Sequence, residues 1–263
     1  MSKLLSFGIL KTMSTNYLEG DFSFGKKKYR HIFFDMDQTL TRSRSVVEPD
    51  MKRALQDLSS FSDGIVVSGA NEEQIFKQIT DDLKGKIYIL SQNGNSALGK
   101  DGKVLWRNVL SDAQKSEIYS HIDHIKREFS NLYKGAVDAD QIQDRGCQIS
   151  FSFLGHNAKL ESKEAFDPKG ELRQTILKKI PFVSTSLEVK IGGTTCLDYF
   201  ELGKNKGHNV LALIKNLGWN AEDSLYVGDA LFPGGNDESV VGVCDTFQVA
   251  SLAETLVLIR KII

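Results

Sequence analysis

An α/β fold, a doubly wound parallel sheet interrupted by an inserted α+β domain, is predicted for this 263-residue chain by three features. Short apolar runs alternate with helix-period segments at the spacing of βαβ units. Polar residues stand just past the ends of several of those runs. A central stretch then changes to hairpin signals and period-two alternation, the pattern of an antiparallel sheet.

The elements follow in order. Residues 31–34 are the first expected strand, and Met51, Ala54, Leu55 and Leu58 repeat with helical period across 51–60. Residues 64–67 read as a second strand ending at Ser68-Gly69-Ala70. A helix is predicted over 72–83, with Ile75, Phe76 and Ile79 on one face. Residues 86–90 are a third strand, closed by the turn-prone Ser91-Gln92-Asn93-Gly94. Much later, a helix over 210–217 is stopped by Gly218, and a strand over 224–227 ends at Gly228-Asp229.

In the middle, Lys100-Asp101-Gly102-Lys103 marks a hairpin and 112–133 a long helix. Gln148-Ile149-Ser150-Phe151-Ser152-Phe153 alternates as a strand with one face in water, and 187–191 reads as another strand. The predicted division is a core of 1–95 and 199–263, beginning with an N-terminal extension over 1–28, and an inserted domain of 96–198.

Composition narrows the function classes. Hydrophobic content of 41% and charged content of 25% exclude a disordered chain. A net charge of -1 gives no electrostatic basis for binding nucleic acid or an anionic membrane. Cys147, Cys196 and Cys244 are too scattered for a disulfide framework or a metal pair, and point to reduced thiols in the cytoplasm. No apolar run approaches the roughly 18 residues of a membrane span. The N-terminal apolar stretch is short and broken by Lys11, which fits an extension better than a secretory leader.

The chemistry concentrates in Asp35-Met36-Asp37-Gln38-Thr39. Side chains two apart on an extended segment point the same way, so both carboxylates can face one volume. One can attack a phosphoryl group while the other moves the leaving-group proton; a solvated loop is the plainer alternative. Asp35, Ser68 and Asp229 each follow a predicted strand, which places them on the edge where open parallel sheets bind ligands. The Gly/Pro loop from Asp229 to Asp237 offers hard oxygen ligands suited to Mg²⁺, or else a self-bonded turn. Gathered with Asp35 and Asp37, these carboxylates would repel one another without a cation. Ser68 and Gly69 can present a hydroxyl and N–H groups to an anion, compatible with a helix cap. In Lys204-Asn205-Lys206-Gly207 one lysine can reach the cluster. His121 and His124, at i, i+3, have metal spacing but no third ligand, and read as a solvated helix face. The basic run 26–30 reads as a lead into the first strand.

Four segments, Asp35 to Thr39, Ser68, Lys206-Gly207 and Gly228-Asp229 with Asn236-Asp237, together resemble the motifs of the haloacid dehalogenase superfamily. The insertion resembles the C2-type cap of subfamily IIB. Pro233 to Asp237, Gln92-Asn93-Gly94 and Ile191-Gly192-Gly193 with Asp198 are similar to eukaryotic phosphomannomutases. The resemblance implies a Rossmann-like core and makes Asp35 the nucleophile and Asp37 the general acid/base. It implies that Ser68, Gly69 and Lys206 hold the phosphoryl group. Asp35, the Asp37 carbonyl and Asp229 would bind Mg²⁺, with Asp237 supporting the metal or Lys206. Arg145 and Asp198 would contact substrate. Departures stand at Gln38, where glycine is usual, and at His156 and Cys196, where the resemblance implies an arginine and a serine.

The expected function is Mg²⁺-dependent hydrolysis of a small phosphate ester, a sugar phosphate above all, through an aspartyl-phosphate. A hexose phosphomutase of phosphomannomutase type is the alternative, and a phospho-accepting signalling module a third. The expected protein is cytoplasmic, free of nucleic acid and membrane, and a monomer or a homodimer through the cap.

Overall fold

A computed structural model describes residues 27–133 and 138–263, so the extension expected over 1–28 lies outside the described residues except for Lys27 and Lys28. The core is a seven-stranded sheet in the order β11-β10-β1-β2-β3-β4-β5. Its parallel part consists of β1 (His31–Asp35), β2 (Asp63–Val67), β3 (Ile87–Ser91), β10 (Ser224–Gly228) and β11 (Asp245–Gln248). Apolar runs buried on both faces are what such a sheet requires. Along β1, Ile32 and Phe34 pack into one apolar cluster and Phe33 into another.

The helices α1 (Pro49–Leu58) and α2 (Glu72–Ile79) cover the face that holds Ile32, together with the C-terminal α8 (Leu252–Ile262). The opposite face is covered by α7 (Lys206–Asn216) through Val210, Leu213 and Ile214. The layers are therefore doubly wound, as the alternation of strand and helix signals predicts. Burying a Phe or Ile of these faces is worth roughly 2–3 kcal/mol each.

The inserted domain begins later than expected. Strands β4 (Ser96–Leu98) and β5 (Val104–Arg107) form a hairpin that pairs antiparallel with β3 and extends the core sheet. Residue 96 is thus a core position, because the free edge of β3 accepts this hairpin as its own continuation. At the other end β9 (Cys196–Glu201) runs wholly within the cap sheet, past the expected boundary at 198. That sheet has the order β6-β7-β9-β8, from β6 (Ile142–Asp144), β7 (Ile149–Ser152) and β8 (Leu187–Gly192) with β9.

Cap helices α3 (Asp112–Glu128), α4 (Asp138–Gln141), α5 (Leu160–Phe166) and α6 (Glu171–Lys179) complete the domain. The long helix expected to 133 stops at Glu128, and a separate 3₁₀ turn covers Ser130–Tyr133. A capping box of Ser111 and Gln114 starts α3. Ile118, Ile122 and Ile125 of α3 pack with Ile149, Phe151, Phe153, Leu197 and Tyr199 in the cap's own core. His121 faces that core and is not solvated: its ring nitrogens bond the Tyr199 hydroxyl at 2.9 Å and the Ile180 carbonyl at 3.0 Å.

Two linkers join the domains, and buried Asn95 holds both. Its carbonyl accepts from the Asn108 amide at 2.9 Å, and its side chain donates to the Lys204 carbonyl at 2.9 Å. Among the described residues, no helix is long and apolar enough to cross a membrane.

Candidate active site

Register places the site. Asp35 closes β1 level with Val67 of β2, so Ser68 follows at once on the neighbouring strand. Phe34 is level with Val227 of β10, which puts Gly228 and then Asp229 on the same rim. The loop after β1 folds back tightly: the Leu40 and Thr41 amides donate to the Met36 carbonyl, and the Gln38 amide to that of Thr41 at 2.6 Å. Gln38 has φ 64, a left-handed conformation that explains why glycine suits this position better.

Lys206, the first residue of α7, is buried and donates to Asp35 Oδ1 at 2.6 Å and to Asp237 Oδ1 at 2.7 Å. Gly207 makes this approach possible, since a Cβ there would stand 1.8 Å from the Ser239 carbonyl oxygen. The Tyr226 hydroxyl also donates to Asp237 Oδ1, at 2.7 Å. One carboxylate oxygen from each of Asp35, Asp229 and Asp237 lies within 4.8 Å of the others. Two buried oxygens of this group, Asp35 Oδ2 and Asp237 Oδ2, have no hydrogen-bond partner among the described residues.

The electrostatics describe a site short of positive charge. Burial raises the Asp35 carboxyl well above its ordinary range against the pull of Lys206, and Asp237 and Asp229 push it further up. Burial, then the Asp237 charge, raises Asp229 to about 6. For Lys206, burial alone would lower the pKa, but Asp237 and Asp35 outweigh it and the ammonium is held protonated. Three carboxylates, one lysine and two orphaned oxygens fit a hard divalent cation such as Mg²⁺.

Asp37 stands apart from this group. Its carboxylate accepts from the Gln78 side chain at 3.2 Å and the Arg44 amide at 3.3 Å, and lies outside the cluster of ligand oxygens. Burial raises its pKa, partly offset by the Arg44 amide and by the charges of Lys163 and Arg44.

Ser68 is buried, and its Oγ accepts from the Ala70 amide at 3.1 Å. The Gly69 carbonyl accepts from Arg145 of the cap. Asp198 lies against Gly69, where a Cβ would meet its Oδ2 at 3.3 Å, and it accepts from Ser150 Oγ at 2.6 Å. Burial raises the Asp198 carboxyl against the charge of Arg145. Of the two expected substrate contacts, Arg145 lines a cleft between core and cap, and Asp198 is buried beside Gly69.

Sequence reasoning missed several neighbours. Arg44 lines a cleft of about 210 Å³ with Arg145, Asn71, Gln143 and Asn157, and its Nη2 donates to His156 Nδ1 at 3.1 Å. His156 donates from Nε2 to the Ser150 carbonyl at 3.1 Å, which fixes the neutral tautomer. Lys163 donates to the His156 carbonyl at 3.2 Å. Arg44 and Lys163 left no signal because a lone cation in a loop or a short helix reads as solvated. Gln78 and Tyr226 are hidden for a different reason, since they sit inside apolar patterns that read as core.

Residues 32–239 match the family of haloacid dehalogenase-like hydrolases, and the chain belongs to it. It is a phosphoryl-transfer enzyme of that superfamily, phosphomannomutase-like within it. Phosphomannomutase 2 of Dictyostelium discoideum is 28% identical over 244 residues, covering 86% of this chain and 94% of the relative. The phosphomannomutase of Nicotiana benthamiana is 27% identical over 220 residues, covering 79% and 82%. A haloacid dehalogenase-like hydrolase from Bacteroides thetaiotaomicron superposes with a TM-score of 0.57 at 16% identity, over 90% of this chain and all of the other. An IMP-nucleotidase of Plasmodium falciparum gives 0.60 at 15% identity, over 89% and 68%. These structures share the fold.

Proposed function

We propose that the protein hydrolyses a small phosphate ester, a sugar phosphate in particular, through an aspartyl-phosphate on Asp35. The observation that carries this reading is the buried Asp35 carboxylate, one oxygen tied to Lys206 and the other without a partner. Asp35, Asp229 and Asp237 would hold Mg²⁺, with the carbonyl of Asp37, and the bound cation would neutralise charge on the phosphoryl oxygens.

The free oxygen of Asp35 attacks phosphorus and the P–O bond to the leaving group breaks. Asp37 gives its proton to the departing alkoxide, in keeping with its raised pKa. Lys206, Ser68 and the Gly69 turn hold the transferring group. Asp37, now a carboxylate, takes a proton from water, which attacks phosphorus and breaks the bond to Asp35. The cap excludes bulk water and selects the ester. Such an enzyme would work in the cytoplasm on free metabolites, as a monomer or as a homodimer through the cap.

A screen of phosphorylated metabolites with and without Mg²⁺ tests the reading, with Asp35→Asn as the control. Turnover is expected to need the cation and to vanish in Asp35→Asn while the fold persists; equal turnover in that variant removes Asp35 from the chemistry. Arg44 and Arg145 in the cleft, with the phosphomannomutase relatives, favour a second reading in which the phosphoryl group returns to the sugar. Conversion of mannose-1-phosphate to mannose-6-phosphate, primed by a hexose bisphosphate, would establish it, and phosphate release without isomerisation would reject it.

A further inference from the structure

We propose that Gln148 is a positioning residue for the Ser68-Gly69 turn, so that the cap completes the phosphate-binding part of the core as well as covering it. The proposal rests on the phosphoryl-transfer reading above, in which that turn receives the transferring group. Gln148 lies in the cap just before β7, is buried, and directs both ends of its amide into the core. Its Oε1 accepts from Asn93 Nδ2 at 2.7 Å, and its Nε2 donates to the Gly69 carbonyl at 3.3 Å. The Asn93 amide in turn donates to the Ser68 carbonyl at 2.8 Å. A closed ring of bonds therefore runs from Ser68 through Gly69, Gln148 and Asn93 back to Ser68.

Other contacts reinforce the ring, and the Gly69 carbonyl also accepts from Arg145. Asn93 has φ 57, a left-handed conformation that asparagine tolerates better than most residues. Next to Gln148, the Cys147 amide donates to Gln92 Oε1 at 3.0 Å, which fixes the approach of the cap strand. Only an uncharged amide serves at 148, because one end must accept from Asn93 and the other donate to Gly69. Methionine offers neither group. Glutamate keeps the acceptor but sets a second oxygen against the Gly69 carbonyl.

A residue that merely contacts substrate affects only substrates large enough to reach it. One that holds the turn affects every phosphate ester. Gln148→Glu, which loses the bond to Gly69, and Gln148→Met, which loses both bonds, are each expected to lose at least about ten-fold in kcat/KM on p-nitrophenyl phosphate, the weight of one buried hydrogen bond. Inhibition by inorganic phosphate should weaken by the same factor, with circular dichroism at the assay temperature unchanged and the unfolding midpoint lowered by the buried groups left unpaired. Wild-type kinetics in both variants would overturn the proposal, and so would a loss confined to sugar phosphates. If the wild type turns over none of these esters, the hydrolase reading falls, and hydrogen exchange at the amides of 68–71 decides for Gln148 on its own. Exchange about ten-fold faster in the variants supports the ring, and equal rates overturn it.

Discussion

Lys206 is the residue on which the active-site charges balance. It bonds Asp35 and Asp237 at once, in a place where two carboxylate oxygens already lack partners. Replacing it with methionine keeps the length and removes the ammonium from that network. Taking one partner out of a buried ion pair costs about 3–5 kcal/mol, because the charges left behind are uncompensated. Lys206→Met is therefore expected to unfold at clearly lower urea in EDTA, and Mg²⁺ should raise its midpoint more than it raises that of wild type. An equal Mg²⁺ shift in the two proteins would mean that the carboxylates do not share one cation site. Turnover should fall by about 10²–10³, the usual cost of removing a group that offsets charge in the transition state.

Among the elements, β7 shows what the sequence reveals and what it conceals. Alternation over 148–153 identifies the strand and predicts that its polar positions face water. Both faces are buried: Ile149, Phe151 and Phe153 enter the cap core, while Gln148, Ser150 and Ser152 face inward as hydrogen-bonding groups. Period two records which residues share a face, not whether water or another domain covers it. Asp35, Ser68 and Asp229 are legible because each follows a local strand signal, whereas Lys206, at the start of a helix, is told from Lys204 only by the resemblance to the superfamily motifs. A hairpin signal does not say which sheet accepts it, and here β4 and β5 extend the core sheet beyond residue 96. His156, at the turn after β7, makes the burial testable. Burial, then the charge of Arg145, lowers its pKa from 6.5 to about 3. The folded state thus holds the neutral ring while the unfolded chain binds a proton below pH 6.5. The resulting stability is fully present above that pH and is lost as pH falls towards 3. His156→Gln can keep the bonds to Arg44 and Ser150 without titrating. Its urea midpoint should fall less than that of wild type between pH 6.5 and 4.5, and parallel curves would show His156 to be solvated.

At the scale of the whole molecule, the two domains have separate apolar cores and meet through polar contacts. The core sheet carries one cluster on each face, and the cap holds its own around Phe151. Between them run bonds such as Arg145 to Gly69, Gln92 to Cys147 and Gln148 to Asn93, with both linkers pinned at Asn95. Each such bond contributes only about 1 kcal/mol net, so damage to one core need not pass to the other. The chain's two tryptophans provide the means to see this, because both pack against the apolar cluster on one face of the core sheet. Trp106 lies on β5 and donates to the Gly94 carbonyl at 2.9 Å, and Trp219 stacks on His31 with centroids 3.8 Å apart. Phe151→Ala removes a fully buried ring from the cap, at a cost of roughly 3–5 kcal/mol. In urea, the far-ultraviolet circular dichroism of this variant should gain an early phase, because it reports helices and strands of both domains. Tryptophan fluorescence should keep the wild-type midpoint. If both signals move together, the domains unfold as one cooperative unit, and the polar interface couples them far more strongly than its individual bonds allow.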